Sequence, residues 1–370
     1  MKYYIIAGEA SGDLHGSNLM KSLYKQDPNA EVRFWGGDLM KNVGGTLVKH
    51  YKDLAFMGFA EVVMNLSTIL KNISFCKNDI LKFQPDVILF IDYPGFNMRI
   101  AKWAKIQGFD THYYISPQIW AWKESRIHAI KRDVNHMYVI LPFEKDFYEK
   151  KHNYPVNYVG HPLVDAIDFF IQEPKVDLHT KYQLDDRPII ALLPGSRKQE
   201  VKKLLQEMVK VIPKFPTYQF VIAGAPSLTY DFYKEYVDQY DVKFVNNETY
   251  SLLEISTAAL VTSGTATLET ALFNVPQVIV YKANELSYQI AKRIITLKYI
   301  SLVNLIMDEE IVKELIQRDC NEKQIETELR KVINNPGREK VLVKYKQLKE
   351  KLGGGGASDK VINMLKLNLK

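Results

Sequence analysis

Short apolar runs rich in β-branched and aromatic residues recur along this chain. Each is followed by a Gly/Pro/Ser/Asp cluster and then a longer helix-like stretch. This alternation limits the fold more than any other feature, because repeated βα units close into parallel sheets with helices on both faces. The runs come in two series. The first predicts strands at residues 3–7, 32–35, 87–92, 111–115, 136–141 and 157–159, and the second at 189–193, 219–223, 243–245, 259–262, 277–281 and 299–302. Between them, in DAIDFFIQEPKVDLHTKYQLDDRP, charges and prolines break any strand period, as an interdomain connection would.

The expected fold is therefore α/β, with two Rossmann-like, doubly wound parallel-sheet domains facing a cleft and ligands at the carboxyl ends of the strands. The chain's 370 residues exceed what one hydrophobic core usually supports. The domains are placed at residues 1–165 and 187–345. Residues 346–370 form a glycine hinge, Gly353 to Gly356, and a final helix that could pack back on the first domain.

Composition narrows the function classes. Two cysteines, Cys76 and Cys320, without ligand or partner spacing, predict reduced thiols in the cytoplasm. The first apolar run is too short for a signal peptide, and no stretch approaches a membrane span. The net charge of +6 is concentrated at the end: residues 331–370 hold ten Lys or Arg against Glu339, Glu350 and Asp359, so 10 − 3 = +7, and the remainder sums to −1. Such a tail suits an anionic surface, whether nucleic acid or the cytoplasmic face of a bilayer, or is merely a solvated helix face.

Five motifs carry candidate chemistry. GEASGD follows the first strand, where a helix start favours anions or sugar hydroxyls; Glu9, Ser11, Asp13 and His15 are the candidate side chains, although Ser11 or Asp13 also reads as a helix cap. VILFIDYPGFN ends an apolar strand in Asp92, whose partial burial would raise its pKa toward that of a general base, with Asn97 to position it. YYISPQIWAWKESR offers Gln118, Trp120 and Trp122, for sugar or acyl contact or simply for the core. LLPGSRKQE puts Gly195, Ser196 and Arg197 where a diphosphate would be neutralised. VTSGTATLE brings Ser263, Gly264 and Thr265 to a helix start, and Glu269, one turn on, to receive ribose hydroxyls. Dinucleotide and P-loop glycine patterns are absent from these turns. No D-x-D triplet or His/Asp/Glu cluster with metal spacing is read, so neither metal nor cofactor is called for; Lys282 and Arg197 would balance a leaving diphosphate.

Two segments hint at lipid. Glu61, Asn65, Thr68 and Asn72 form a polar stripe on an otherwise apolar helix, and Lys292, Arg293 and Lys298 punctuate apolar residues as in a helix resting on headgroups; either also fits a helix packed on its own sheet.

Taken in order, GEASGD, the D-x-P-x-F-N strand end, S-P-x-x-W-A-W, LPGSR, SGTATLE and S-L-x-N-L around Asn304 resemble the lipid A disaccharide synthase family over roughly residues 3–335. The resemblance implies the GT-B glycosyltransferase fold. It implies inverting transfer of 2,3-diacylglucosamine from UDP to 2,3-diacylglucosamine 1-phosphate, giving the β-1,6-linked disaccharide phosphate of lipid A. It also implies peripheral association with the inner face of the cytoplasmic membrane, with no role for nucleic acid. Asp92 and Arg197 match the family's essential aspartate and arginine, and Glu269 and Asn304 match donor-side positions. Gly95 stands where familiar members carry a second aspartate. An exposed apolar surface on the second domain would permit a homodimer. The alternatives are another GT-B UDP-sugar transferase, a UDP-sugar epimerase, or a bilobal protein that binds without catalysis.

Overall fold

A computed structural model describes residues 1–54, 66–226, 228–295 and 297–368. It divides into two compact units: residues 1–166 together with 352–370, and residues 167–351.

Among the described residues of the first unit, seven strands form one sheet: β1 (Lys2–Ala7), β2 (Glu31–Gly36), β3 (Thr46–His50), β4 (Val87–Ile91), β5 (Asp110–Tyr114), β6 (His136–Val139) and β7 (Asn157–Tyr158). Their order is β3-β2-β1-β4-β5-β6-β7 and every pairing is parallel. All five residues of β4, VILFI, are buried, as expected of a central parallel strand covered on both faces. The chain leaves β1 toward one side of the sheet and β4 toward the other. Their adjacent carboxyl ends therefore form the topological switch point, the usual ligand position in such sheets.

The second unit repeats the plan with β8 (Ile189–Leu193), β9 (Gln219–Gly224), β10 (Val242–Asn246), β11 (Ser256–Thr262), β12 (Gln277–Tyr281) and β13 (Glu314–Ile316), in the parallel order β10-β9-β8-β11-β12-β13. Its switch point lies between β8 and β11.

Two strand expectations need correction. Residues 299–302 are not a strand: the Ser301 hydroxyl accepts the Asn304 amide and caps the helix Leu302–Met307, and the sheet instead ends at β13. The edge strand β3 was not anticipated, because TLVKH is short and carries charge where an apolar run was sought.

The C-terminal segment belongs to the first unit. The Asp165 carboxylate accepts the amides of Gly356 (2.6 Å), Ala357 (3.3 Å) and Ser358 (3.1 Å), satisfying the start of the helix Ala357–Asn368. Lys366 Nζ donates to the Gln26 carbonyl at 2.6 Å, tying that helix to the end of Ala10–Gln26.

Candidate active site

Asp92 directly follows β4, and both it and Tyr93 adopt left-handed backbone conformations, with φ of 45° and 48°. Two such non-glycine residues in succession cost roughly 1–3 kcal/mol each and persist only where the surroundings impose them. Here they do. The Asp92 carbonyl accepts from Asn97 Nδ2 (2.7 Å) and Tyr113 Oη (2.6 Å), and its amide donates to the Tyr114 carbonyl (3.0 Å). Asn97 is fully buried and also reaches the carbonyls of Ile6 and Ile91, both at 3.3 Å, clamping the ends of β1 and β4 together. The Tyr93 ring lies over Gly8, where an added Cβ would come within 2.2 Å of it, so only glycine admits this approach.

The sharp turn presents the Asp92 carboxyl, half-buried, at the switch point. Burial pushes its pKa up to about 6; the like charge of Glu9 adds to the rise, the Tyr93 amide opposes it, and Glu144 contributes further. Among the described residues no cation pairs with it. A half-open carboxylate with this affinity for protons suits a general base near neutral pH. Gly95, on the following turn, has open space around a notional Cβ, so no steric reason excludes a larger side chain there.

At the second switch point the charge is reversed. Arg197 ends the turn PGSR, is exposed, and opens the helix Lys198–Met208; among the described residues its guanidinium has no ion-pair partner. Glu200, one turn into that helix, accepts the Ser196 amide (3.3 Å) and the Thr262 hydroxyl (3.2 Å), strapping the ends of β8 and β11 together. Gly195 has φ of +112°, so the backbone conformation requires glycine, and a Cβ there would push the Glu200 carboxylate, 2.2 Å away, off its position. After β11 the helix Thr265–Leu272 starts from Gly264 without a side-chain cap; the Thr267 amide donates to the Gly264 carbonyl at 3.1 Å, and the amides before it are available to an anion. Glu269, half-buried, accepts from Tyr250 Oη at 2.9 Å, and burial raises its pKa despite that bond.

The profile of the lipid-A-disaccharide synthetase family matches residues 3–361. The chain belongs to the lipid-A-disaccharide synthetase family. A lipid-A-disaccharide synthase of Coxiella burnetii (strain CbuG_Q212) is 38% identical over 98% of this chain and 96% of its own, and one of Geobacter metallireducens is 37% identical over 98% and 95%. Among solved structures, the UDP-GlcNAc 2-epimerase of Neisseria meningitidis bound to UDP-GlcNAc shares the fold at a TM-score of 0.71 with 15% identity, covering 100% of both chains. The calicheamicin glycosyltransferase CalG4 does so at 0.60 with 12% identity, covering 100% of this chain and 98% of its own. The fold of this lipid-A-disaccharide synthetase family member is thus that of the GT-B glycosyltransferases and UDP-GlcNAc 2-epimerases.

Several side chains expected at the ligand are occupied elsewhere in this family member. Asp13 is buried and its carboxylate accepts the amides of Gly37 (2.7 Å), Leu39 (3.1 Å) and Met40 (3.0 Å), capping the helix Asp38–Val43. Asn304 is fully buried, donating to the Val312 carbonyl and Glu314 and accepting the Ile311 and Val312 amides, so no polar atom is left for a ligand. Lys282 is ion-paired with Glu207 at 2.7 Å. The Ser263 hydroxyl donates to the Ile300 carbonyl at 2.8 Å. His15 is buried with Nδ1 unpartnered and is held down to about pKa 4 by burial; burial first, and then His15, takes the buried His161 down to about 3.

Other expected residues remain within reach of a ligand. Ser11 and Gln118 are exposed and Glu9 is half-buried. Trp120 is half-buried, with its indole N–H donating to Glu144 at 3.1 Å, while Trp122 is 42% exposed beneath Lys123 and Arg126.

Of the polar helix stripe, Glu61 and Asn65 lie outside the described residues. Asn72 points inward from the helix Leu66–Phe83, which exposes Leu70, Phe75 and Leu81. Sequence reading missed Glu200, although a Glu three residues into a helix after a glycine turn is a capping signal. It also missed Tyr113, whose hydroxyl supports the Asp92 turn.

Proposed function

We infer that this chain is a lipid-A-disaccharide synthase, a glycosyltransferase of lipid A biosynthesis. We propose that it joins UDP-2,3-diacylglucosamine to 2,3-diacylglucosamine 1-phosphate, releasing UDP and forming the β-1,6-linked disaccharide 1-phosphate with inversion. The observation that carries the mechanism is the half-buried Asp92 carboxyl, raised to about 6 and held on a clamped left-handed turn at the switch point.

In the proposed reaction Asp92 takes the proton of the acceptor 6-hydroxyl as that oxygen attacks the donor anomeric carbon from the face opposite UDP. A bond forms to the acceptor oxygen, the bond to the diphosphate oxygen breaks, and UDP leaves with the electron pair. General-base assistance of this kind contributes about 10²–10⁴-fold in rate. Arg197 and the uncapped amides at the start of Thr265–Leu272 receive the growing diphosphate charge. Gly195 and Ser196 shape that turn, and Glu269 orients the ribose. On the acceptor side Glu9, Ser11, Gln118, Trp120 and Trp122 contact the sugar and acyl chains. Asp13, Asn97, Lys282 and Asn304 act as positioning residues, because Asn97 Nδ2 and the polar atoms of the other three already hold the scaffold.

Lipid substrates require a membrane-facing surface, and none of the described helices is long and apolar enough to cross a bilayer. The exposed Leu70, Phe75 and Leu81 and the basic C-terminal segment support peripheral attachment to anionic lipid at the cytoplasmic face.

The test mixes purified protein with both lipid substrates in detergent and follows UDP release together with product mass. A tetraacyl disaccharide phosphate formed in step with UDP is expected. Folded protein that yields neither product across several acyl lengths would overturn the reading.

A further inference from the structure

At the edge of the first sheet opposite the Asp92 turn, three metal-ligating side chains converge. Asp110 opens β5 and His112 lies two residues on, so both leave the same face of the strand. His136 opens β6 and is the register partner of His112 across the parallel ladder. One donor atom from each of the three lies within 4.8 Å of the other two. His112 Nε2 is 2.8 Å from Asp110 Oδ2, His136 Nε2 is 3.9 Å from Asp110 Oδ1, and the imidazoles stack at 4.6 Å.

We propose that Asp110, His112 and His136 form a binding site for a divalent transition-metal ion of the zinc class, at the amino ends of β5 and β6. Two imidazoles and one carboxylate are a donor set that such ions favour, and three protein ligands leave a position open to water. A solvent-open depression of about 380 Å³, lined in part by Asp110, His136, Asn135 and Asn368, provides room for it.

The surroundings complete the case. His112 Nδ1 lies 2.9 Å from Tyr138 Oη, and a hydroxyl either donates to that nitrogen or accepts from it. Without metal, Nε2–H donates to Asp110 and Nδ1 accepts from Tyr138. With metal, the ring carries its proton on Nδ1, donates to Tyr138, and turns the Nε2 lone pair toward the ion. Lys105 is the opposing charge; its ammonium is tethered to Asn135 Oδ1 at 2.9 Å.

Asp110 pairs with Val87 at the start of β4, whereas Asp92 follows Ile91 at its end, so Asp110 lies roughly 16 Å along the sheet from the proposed base. Its role is to join the amino ends of β5 and β6, next to the terminal helix through Asn368, rather than to touch the reacting sugars.

The experiment is a titration of the metal-free full-length chain with Co²⁺, read by its visible d–d bands, followed by displacement with Zn²⁺. One Co²⁺ per chain is expected, displaced by Zn²⁺. His136→Ala should weaken binding on the order of 10- to 100-fold or more while circular dichroism and UDP release stay unchanged. Lys105→Gln, which removes the opposing charge without touching a ligand, should tighten binding about two-fold or more. Absence of stoichiometric binding to the wild-type chain, or equal affinity of wild type and His136→Ala, would overturn the site.

Discussion

The two switch points share one topology and differ in charge. Between β1 and β4 the chain turns through two left-handed non-glycine residues, clamped by Asn97 and Tyr113, and offers a carboxyl with a raised pKa. Between β8 and β11 it turns through Gly195 and Gly264 and offers an exposed guanidinium and open helix amides. The same sheet order thus yields a strained, half-buried acid in one unit and an exposed cation beside glycine turns in the other. The sheet supplies the location, and the loop residues supply the chemistry.

The largest test of this contrast is Asp92→Asn. Turnover should fall about 10²–10⁴-fold with UDP-sugar binding retained, measured by UDP release and calorimetry. The same change should stabilise the protein. The folded-state pKa, about 6, lies above the unfolded value of 3.8, so wild type loses stability as pH rises through 6. Above that pH the variant should be more stable by about 2 kcal/mol, below the ~3 kcal/mol of the full difference because solvent screens the half-exposed carboxyl, and the difference should vanish below pH 4, as followed by chemical denaturation. A wild-type rate that falls about tenfold per unit as pH drops below 6, in kcat/KM profiles, is the companion expectation.

Arg197→Ala should cost about 10²–10³-fold in turnover through lost diphosphate stabilisation, yet shift unfolding by less than about 0.5 kcal/mol, since the exposed guanidinium holds nothing in the fold. Equal damage to stability would break the contrast between a strained acid and an exposed cation. Gly195→Ala should destabilise by about 1–3 kcal/mol, read in the denaturation midpoint, from its φ and the Glu200 carboxylate. The smallest effect belongs to Lys282→Met. With its ammonium already held by Glu207, kcat/KM should change by no more than about threefold; a larger loss would mean that this ion pair opens for the diphosphate.

Eleven of the twelve expected strands overlap observed ones, because a buried parallel strand leaves a dense apolar signature and its flanking turns leave Gly and Pro. The miss at residues 299–302 came from reading an apolar segment without its Ser cap. Asp92 stands out as a candidate in the sequence because a carboxylate ending a wholly apolar strand has no evident local use. Glu200, by contrast, passed as one more charge on a helix: its bond to the Ser196 amide is a local capping signal, but Thr262 reaches it only when β8 and β11 pair.

The sequence by itself determined the alternation of strands and helices, the break between the two series, and the turns that carry Asp92 and Arg197, because steric preference and hydrophobic period act over a few residues. Only the tertiary structure decided which polar groups were free. Asp13 is consumed by amides 24 to 27 positions away and Lys282 by a carboxylate 75 positions away. Asp110, His112 and His136 become a cluster only through the register of two strands. A buried polar group must be paired wherever the fold brings it, and that pairing follows from the folded neighbourhood, which local pattern does not encode.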